Sequence, residues 1–140
     1  MTTKSIDALK TGILQIDQEH HDMYTIIIQL YLALEHDKDQ GFYLPLIKKL
    51  VELMVVHFYN EETSFNQYDY READMHMREH IKIRMQVAQF YDSYTKGLKN
   101  ITKEAIYGFS TMFLNHIECF DMEYVPCLKA GKKRYLATAI

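Results

Sequence analysis

The chain has few of the residues that interrupt or cross-link a fold: it contains two prolines, five glycines, two cysteines and no tryptophan among 140 residues. Because proline and glycine mark most turns, their scarcity favours long helices over a many-turned β fold. If Cys119 and Cys127 lie on one continuous helix, they are about 12 Å apart along its axis, too far for a disulfide. These absences argue against a disulfide framework and predict a reducing, cytoplasmic compartment.

Long apolar runs and a charge excess are also absent. No stretch approaches the roughly 20 apolar residues that a membrane-spanning helix needs, and residues 1–7 lack the apolar core of a signal peptide. A net charge of -3 gives no electrostatic attraction to nucleic acid or to an anionic membrane. With 48% hydrophobic residues, the chain is expected to form a single domain over residues 1–140 that binds neither of them.

Apolar residues recur at steps of three and four in four stretches of the chain. They predict helices at about 17–35, 42–65, 70–96 and 101–125, separated by short polar connections. Helices of this length with short loops predict an all-α, up-down-up-down four-helix bundle with an N-terminal arm and a short C-terminal segment. Asn100 or Thr102 is expected to cap the fourth helix. Residues 126–140 are expected to form a short helix or extended segment lying over the bundle.

Five of the seven histidines, together with two carboxylates, fall on the apolar stripes of these helices. Residues four apart on a helix share one face, so the two pairs with this spacing project inward side by side. Without a metal ion, such a cluster would leave several buried polar groups unpaired, at about 1–3 kcal/mol each. Five nitrogens and two carboxylates are too many for one ion, but they suit two ions that share the carboxylates. The candidate ligands are His20, His57, Glu61, His76, His80, His116 and Asp121.

Each signal taken alone has a plainer explanation. A single inward histidine is usually a hydrogen-bonded core residue, and a single pair spaced four apart is usually a solvated helix face. His116 and Asp121 are five residues apart, about 140° round a regular helix, so either the carboxylate reaches across from the flank or the helix contains a π-bulge. Glu62 points away from Glu61 and is expected to support the site from outside. Asp17 is expected to cap the first helix, or else to orient a ligand.

These residues, as spaced, resemble the hemerythrin family. The resemblance covers about residues 12–124 and includes a tyrosine, Tyr70, six residues before the paired histidines. It implies a four-helix bundle around a non-haem di-iron centre that binds O₂. The motifs that carry it are Ile-Asp-x-x-His from Ile16 to His20, His-Phe-x-x-Glu-Glu from His57 to Glu62, His-x-x-x-His from His76 to His80, and His-x-x-x-x-Asp from His116 to Asp121.

The resemblance also implies a role for each ligand. One iron would be held by His76, His80 and His116 and the other by His20 and His57, while Glu61 and Asp121 would bridge them together with an oxo or hydroxo group. The second iron would keep an open coordination position where O₂ binds reversibly. Such a protein would store, deliver or sense O₂, with an unidentified oxidase or sensor as a downstream partner. The residues expected to line the O₂ pocket are Met23, Phe58, Phe113, Ile117 and Tyr124.

The chain departs from the family near the expected pocket. Phe113 stands where a leucine is usual, and Met112 stands where the family often has a tryptophan. Two other functions therefore remain open: a di-iron oxidase, peroxidase or nitric oxide-handling enzyme at the same site, and sequestration of iron or zinc without gas chemistry. The absence of the paired Glu-x-x-His motifs of ferritin-like enzymes favours O₂ binding over catalysis.

Overall fold

The computed structural model of the protein describes residues 6–36 and 38–131, and every regular element in these ranges is helical. A short 3₁₀ turn, Ile6–Leu9, precedes the first long helix. The long helices are α1 (Leu14–Leu34), α2 (Gln40–Gln67), α3 (Ala73–Thr95) and α4 (Lys103–His116), and α4 continues through a π-helical segment (Ile117–Asp121) into α5 (Met122–Ala130). The predicted all-α four-helix bundle is confirmed.

The helices pack around one apolar core. α1 lies against both α2 and α4, and α2 lies against α3. Fully buried side chains such as Ile27 and Leu30 of α1, Ile47 of α2 and Ile106 of α4 fill the half of the bundle away from the histidines. Burial of each such side chain contributes about 1.5–3 kcal/mol, so this half can carry the cost of the polar cluster in the other half.

The start of α1 differs from the sequence expectation. Ile13 is the N-cap residue and makes no side-chain capping bond, so the expected cap by Asp17 is wrong. The Asp17 carboxylate instead accepts hydrogen bonds from the Thr11 amide and hydroxyl groups, both at 2.8 Å, and from the Gly12 amide at 3.0 Å. Gly12 has a φ of 80°, which glycine adopts without strain. Asp17 therefore holds the N-terminal arm against the first turn of α1.

The fourth helical arm is longer than expected. Thr102 caps α4 by accepting a hydrogen bond from the Ala105 amide at 3.2 Å, so of the two candidate caps Thr102 is confirmed. Pro126 lies inside α5, which ends before Gly131 with its φ of 66°. Residues 126–130 therefore extend the fourth arm, and the remainder of the expected C-terminal segment, 132–140, lies outside the described residues.

In the part of the chain that the structure describes, no helix combines the length and the apolar character needed to cross a membrane.

Candidate metal centre

The seven side chains singled out by the sequence meet in one half of the bundle core. All of them are buried, and the most exposed of the seven, His116, retains only 5% of its accessible surface. α1 supplies one histidine, α2 a histidine and a glutamate, α3 two histidines, and the fourth arm the last histidine and the aspartate. The residues that the helices bring together are His20, His57, Glu61, His76, His80, His116 and Asp121.

The awkward spacing of His116 and Asp121 is resolved by the π-helical segment. The Met122 amide donates to the Ile117 carbonyl oxygen five residues earlier, which is the bond that defines a π turn. Five residues then span little more than one turn, and Asp121 Oδ1 lies 3.1 Å from His116 Nε2. Of the two alternatives raised by the sequence, the π-bulge is confirmed.

The ligand atoms form two groups that overlap in the carboxylates. Within each group the atoms lie within 4.8 Å of one another. His76 Nε2 lies 3.1 Å from Glu61 Oε2 and 3.0 Å from Asp121 Oδ1, so His76 contacts one oxygen of each carboxylate. On the other side, His20 Nε2 lies 2.9 Å from Asp121 Oδ2, and His57 Nε2 contacts Glu61 Oε1. The arrangement is that of two adjoining cation sites with Glu61 and Asp121 between them.

The cluster leaves donor atoms unpaired. His57 Nε2, His80 Nε2, both Glu61 carboxylate oxygens and Asp121 Oδ1 have no hydrogen-bond partner in the described ranges. Buried polar atoms without partners are rare in proteins, and imidazole with carboxylate is a donor set suited to first-row transition metals. The residues present therefore fit a pair of metal ions.

The histidines and the two carboxylates of the cluster favour each other's charged forms and so shift each other's pKa values. Burial opposes charging of His76, but the nearby Asp121 and Glu61 carboxylates outweigh burial and raise the pKa of His76 to about 9. The pKa of His57 is also raised, because contact with Glu61 and Asp121 outweighs its burial. Burial favours the neutral form of both carboxyl groups, yet the pKa of Asp121 is lowered by His116 and His20, and that of Glu61 by His57 and His76. Both carboxylates are therefore held in the charged form that a cation requires.

Two further carboxylates hold the outer nitrogens of the histidines. His80 Nδ1 lies 2.9 Å from Glu62 Oε1, which also accepts a hydrogen bond from Arg84 at 3.0 Å. The supporting position expected for Glu62 is therefore observed. His57 Nδ1 lies 3.2 Å from Glu19 Oε1, and the other Glu19 oxygen accepts from the Asn60 side chain at 2.7 Å. Such contacts fix the ring and leave Nε2 free for a metal ion.

Sequence reasoning missed Glu19. Glu19 precedes His20 directly, and neighbouring residues on a helix point about 100° apart, so its place next to the inward histidine suggests an outward side chain. Its contact is with α2, 38 residues away in sequence, and no spacing within α1 signals such a pairing.

A narrow cavity with an apolar wall adjoins the cluster and is called the apolar cavity below. It offers about 10 Å³ to the centre of a water-sized molecule, which is about the least that one such molecule needs. Three of the expected pocket residues, Met23, Phe58 and Phe113, line it, and the ligands that reach it are His57, His116 and Asp121. The sequence did not identify the other lining residues, although Met54 continues the inward stripe of α2; they are Met54, Ile83, Phe109 and Met112.

The other two expected pocket residues lie elsewhere. Ile117 is fully buried but is not part of the cavity wall, and Tyr124 packs against Phe65 and Tyr70 with ring centroids 4.7 Å and 4.8 Å away. The π-helical segment explains the difference for Tyr124. One extra residue in a turn rotates everything after it by about 100° relative to a regular helix.

Tyr124 instead lines a second cavity, called here the polar cavity, between the first turns of α1, the C-terminal half of α2, and α5. This cavity offers about 230 Å³ to water-sized molecules, and its wall includes Glu19, Asn60, Glu61 and Ser64. Tyr124 is 1% exposed, and its hydroxyl group has no hydrogen-bond partner among the residues described. Burial raises the pKa of this phenol. The ligand cluster thus adjoins two cavities, one with an almost wholly apolar wall and one whose wall combines polar groups with Ile13, Ile16 and Leu128.

Comparison with known proteins agrees with this geometry. The family model described as the Hemerythrin HHE cation binding domain matches residues 11–128. The bacteriohemerythrin of Methylococcus capsulatus is 28% identical over 116 residues, which is 81% of this chain and 86% of that protein. The bacteriohemerythrin of Pseudomonas aeruginosa is 27% identical over 123 residues, covering 88% and 79%.

Solved structures show the same fold. The crystal structure of a wild-type hemerythrin superposes with a TM-score of 0.84 and covers 91% of this chain and 98% of that chain, although only 21% of the residues are identical. The family model matches residues 11–128 of the chain, and the fold is that of a solved hemerythrin. The chain therefore belongs to the hemerythrin family.

Proposed function

We propose that the cluster holds a di-iron centre. One iron would be bound by His76, His80 and His116, and the other by His20 and His57. The observation that carries the proposal is the pair of buried donor groups that overlap in Glu61 and Asp121. A carboxylate with one oxygen toward each group suits a bridge between two ions, and a further oxo or hydroxo bridge would complete it. The His20 side supplies one donor fewer, which favours an open position there.

We further propose that the centre binds O₂ reversibly. A pair of ferrous ions held by these ligands would supply the electrons that this binding requires, and the protein supplies a narrow apolar compartment beside them. The apolar cavity is too small for a substrate larger than a few atoms, and the proposed ligands in its wall are His57, His116 and Asp121. Its apolar wall keeps water and protons away from the bound gas, which slows one-way oxidation.

Binding is favoured over catalysis by the chemistry of this wall. Among the described residues that line the apolar cavity, the ionisable ones are His57, His116 and Asp121, all of them proposed ligands. A group committed to a metal ion cannot act as a free general acid or base toward a substrate. The inference for storage, delivery or sensing of O₂ rests on this feature and on the family membership.

The test is to reconstitute the protein with ferrous iron, cycle it between air and argon, and record its visible spectrum and iron content. A colour that appears in air and disappears under argon over several cycles is the expected result. Oxidation that argon does not reverse would instead support the oxidase, peroxidase or nitric oxide-handling function. A colourless protein that retains zinc in preference to iron would support metal sequestration.

A further inference from the structure

We propose that the polar cavity is the route by which a hydrated ferrous ion enters the metal centre, and that Glu19 is the carboxylate that receives the ion on the way. The inference rests on the proposed di-iron centre, because it concerns how that centre is filled. It adds a second task to Glu19, which also holds His57.

The cavity joins a partly exposed carboxylate to a buried one. The Glu19 side chain retains 19% of its accessible surface, whereas that of Glu61 retains 2%. Both belong to the wall of the same cavity. Glu61 is also one of the two residues common to both donor groups. An ion that moves from the mouth of the cavity to its inner end therefore arrives at a residue that serves both metal positions.

The polar cavity offers oxygen atoms along its length. Asn60, Ser64 and Tyr124 contribute an amide and two hydroxyl groups to the wall that also contains the two carboxylates. The Tyr124 hydroxyl has no partner in the described part of the chain. Such atoms can replace or hydrogen-bond the water molecules of an ion as it loses them, and the volume is sufficient for several waters.

The apolar cavity is unsuited to this task. Its volume of about 10 Å³ leaves no room for a hydrated ion. A bare ion would have to pass Met23, Phe58 and Phe113, which have no oxygen to offer. Moving an ion out of water without compensating ligands costs several kcal/mol or more. The two cavities thus separate the entry of ions from the space proposed for the gas.

The experiment measures the rate at which apo-protein takes up Fe²⁺ under argon. The reaction is stopped at set times with a ferrous chelator, and the iron that the chelator cannot reach is counted. Glu19→Gln removes the charge at the cavity mouth, and Ser64→Leu fills the cavity. Glu19→Gln should slow uptake by about tenfold at low salt, the lower end of what a charged cleft contributes to association rates. Ser64→Leu should slow uptake at any salt concentration, because the leucine side chain obstructs the cavity. The final iron content should remain that of the wild type.

Matched variants separate the route from its surroundings. Glu62→Gln removes the equivalent carboxylate contact from His80 but lies off the cavity, so it reports what loosening a ligand histidine does by itself. Asn66→Leu places the same new side chain on an exposed position of α2 that does not belong to the cavity wall. Asn66→Leu should take up iron at close to the wild-type rate. Any slowing in Glu62→Gln measures the effect of loosening a ligand histidine, and it should be clearly smaller than the slowing in Glu19→Gln.

The outcomes keep the two proposals distinct. If Glu19→Gln and Ser64→Leu take up Fe²⁺ as fast as the wild type, or if uptake in Glu62→Gln is slowed as much as in Glu19→Gln, the proposed entry route is wrong. If the wild-type protein itself does not retain iron, the di-iron centre fails instead. Should Glu19→Gln not fold, Ser64→Leu against Asn66→Leu still decides the question.

Discussion

The two cavities beside the ligand cluster differ in volume and in the share of polar groups in their walls. The apolar cavity is narrow and walled by methionine, isoleucine and phenylalanine, whereas the polar cavity is roomier by a factor of about twenty and carries carboxylate, amide and hydroxyl groups. Each ends on one of the two shared carboxylates, Asp121 on the apolar side and Glu61 on the polar side. The buried ligand cluster is therefore bordered by two separate cavities that suit ligands of different size and polarity.

One helix, α2, contributes side chains to both walls. On α2, Met54 and Phe58 are four residues apart and face the apolar cavity, while Asn60 and Ser64 are four apart and face the polar one. Glu61 lies between the two faces and points at the metal cluster. Because successive residues of a helix point about 100° apart, neighbouring residues of α2 can face an apolar and a more polar cavity on either side of Glu61.

The largest expected effect comes from removing the residues on which both cavities end. Glu61→Ala and Asp121→Ala should each lose most of their iron, because each carboxylate lies between both donor groups and holds them together. His20→Ala should retain more, since His20 belongs to one group alone. Iron per chain measured after reconstitution and gel filtration checks this. A carboxylate variant that keeps the wild-type iron content would contradict the shared role.

The second effect is the pH dependence of the metal-free protein. His57 and His76 have raised pKa values, so their contribution to stability is complete below about pH 6.5 and is lost as the pH rises through about 9, the folded-state pKa of His76. Glu61 and Asp121 have lowered pKa values, so their contribution to stability is present above the pH at which a free carboxyl group titrates, and it is lost as the pH falls below that value. Stability should therefore be greatest in mildly acidic solution.

Urea denaturation at a series of pH values measures this profile. Each unit of pKa shift corresponds to about 1.4 kcal/mol, which such titrations resolve. His76→Gln is the control, because it should flatten the alkaline side of the profile. Stability that rises between neutral pH and about pH 9 would show that the histidines are not charged by the two carboxylates.

The helical bundle and the grouping of the seven ligand candidates could be predicted from the sequence, because both predictions depend on the spacing of residues along single helices. His57 with Glu61, and His76 with His80, share faces by the helical repeat alone. What spacing could not supply was contact between helices. The approach of Glu19 to His57, and the place of Tyr124 in a different cavity from Phe113, depend on how α1 meets α2 and on how the π-helical segment rotates α5.

The third effect concerns Phe113 in the wall of the apolar cavity. Its ring meets the His20 ring edge-on, with centroids 6.1 Å apart, where a leucine is usual in the family. Phe113→Leu should widen the cavity and speed O₂ association, and Phe113→Ala should also accelerate autoxidation because water gains access. Stopped-flow mixing of the diferrous protein with O₂ measures both rates. Phe42→Leu, on the exposed surface of α2, is the control.

Unchanged rates in both Phe113 variants, with iron content intact, would mean that the ring only fills core volume. Phe113→Ala should in addition lower the unfolding free energy by about 3–5 kcal/mol, as is typical when a buried ring is removed. A variant that is destabilised but kinetically normal would therefore separate packing from access.

The smallest effect distinguishes the cavities through two buried hydroxyl groups. Tyr124 and Ser110 are 1% and 0% exposed, and neither hydroxyl has a partner among the described residues. Tyr124 lines the polar cavity, whereas Ser110 belongs to the wall of neither cavity.

Water in the polar cavity can hydrogen-bond the Tyr124 hydroxyl but cannot reach the Ser110 hydroxyl. Tyr124→Phe should therefore destabilise the protein by about 0.5–1.5 kcal/mol, the net contribution of one hydrogen bond. Ser110→Ala should be neutral or stabilising, because it removes an unpaired group and places a better helix former in α4. Equal losses in the two variants, measured by urea denaturation of the iron-loaded protein, would mean that the polar cavity is as dry as the core around Ser110.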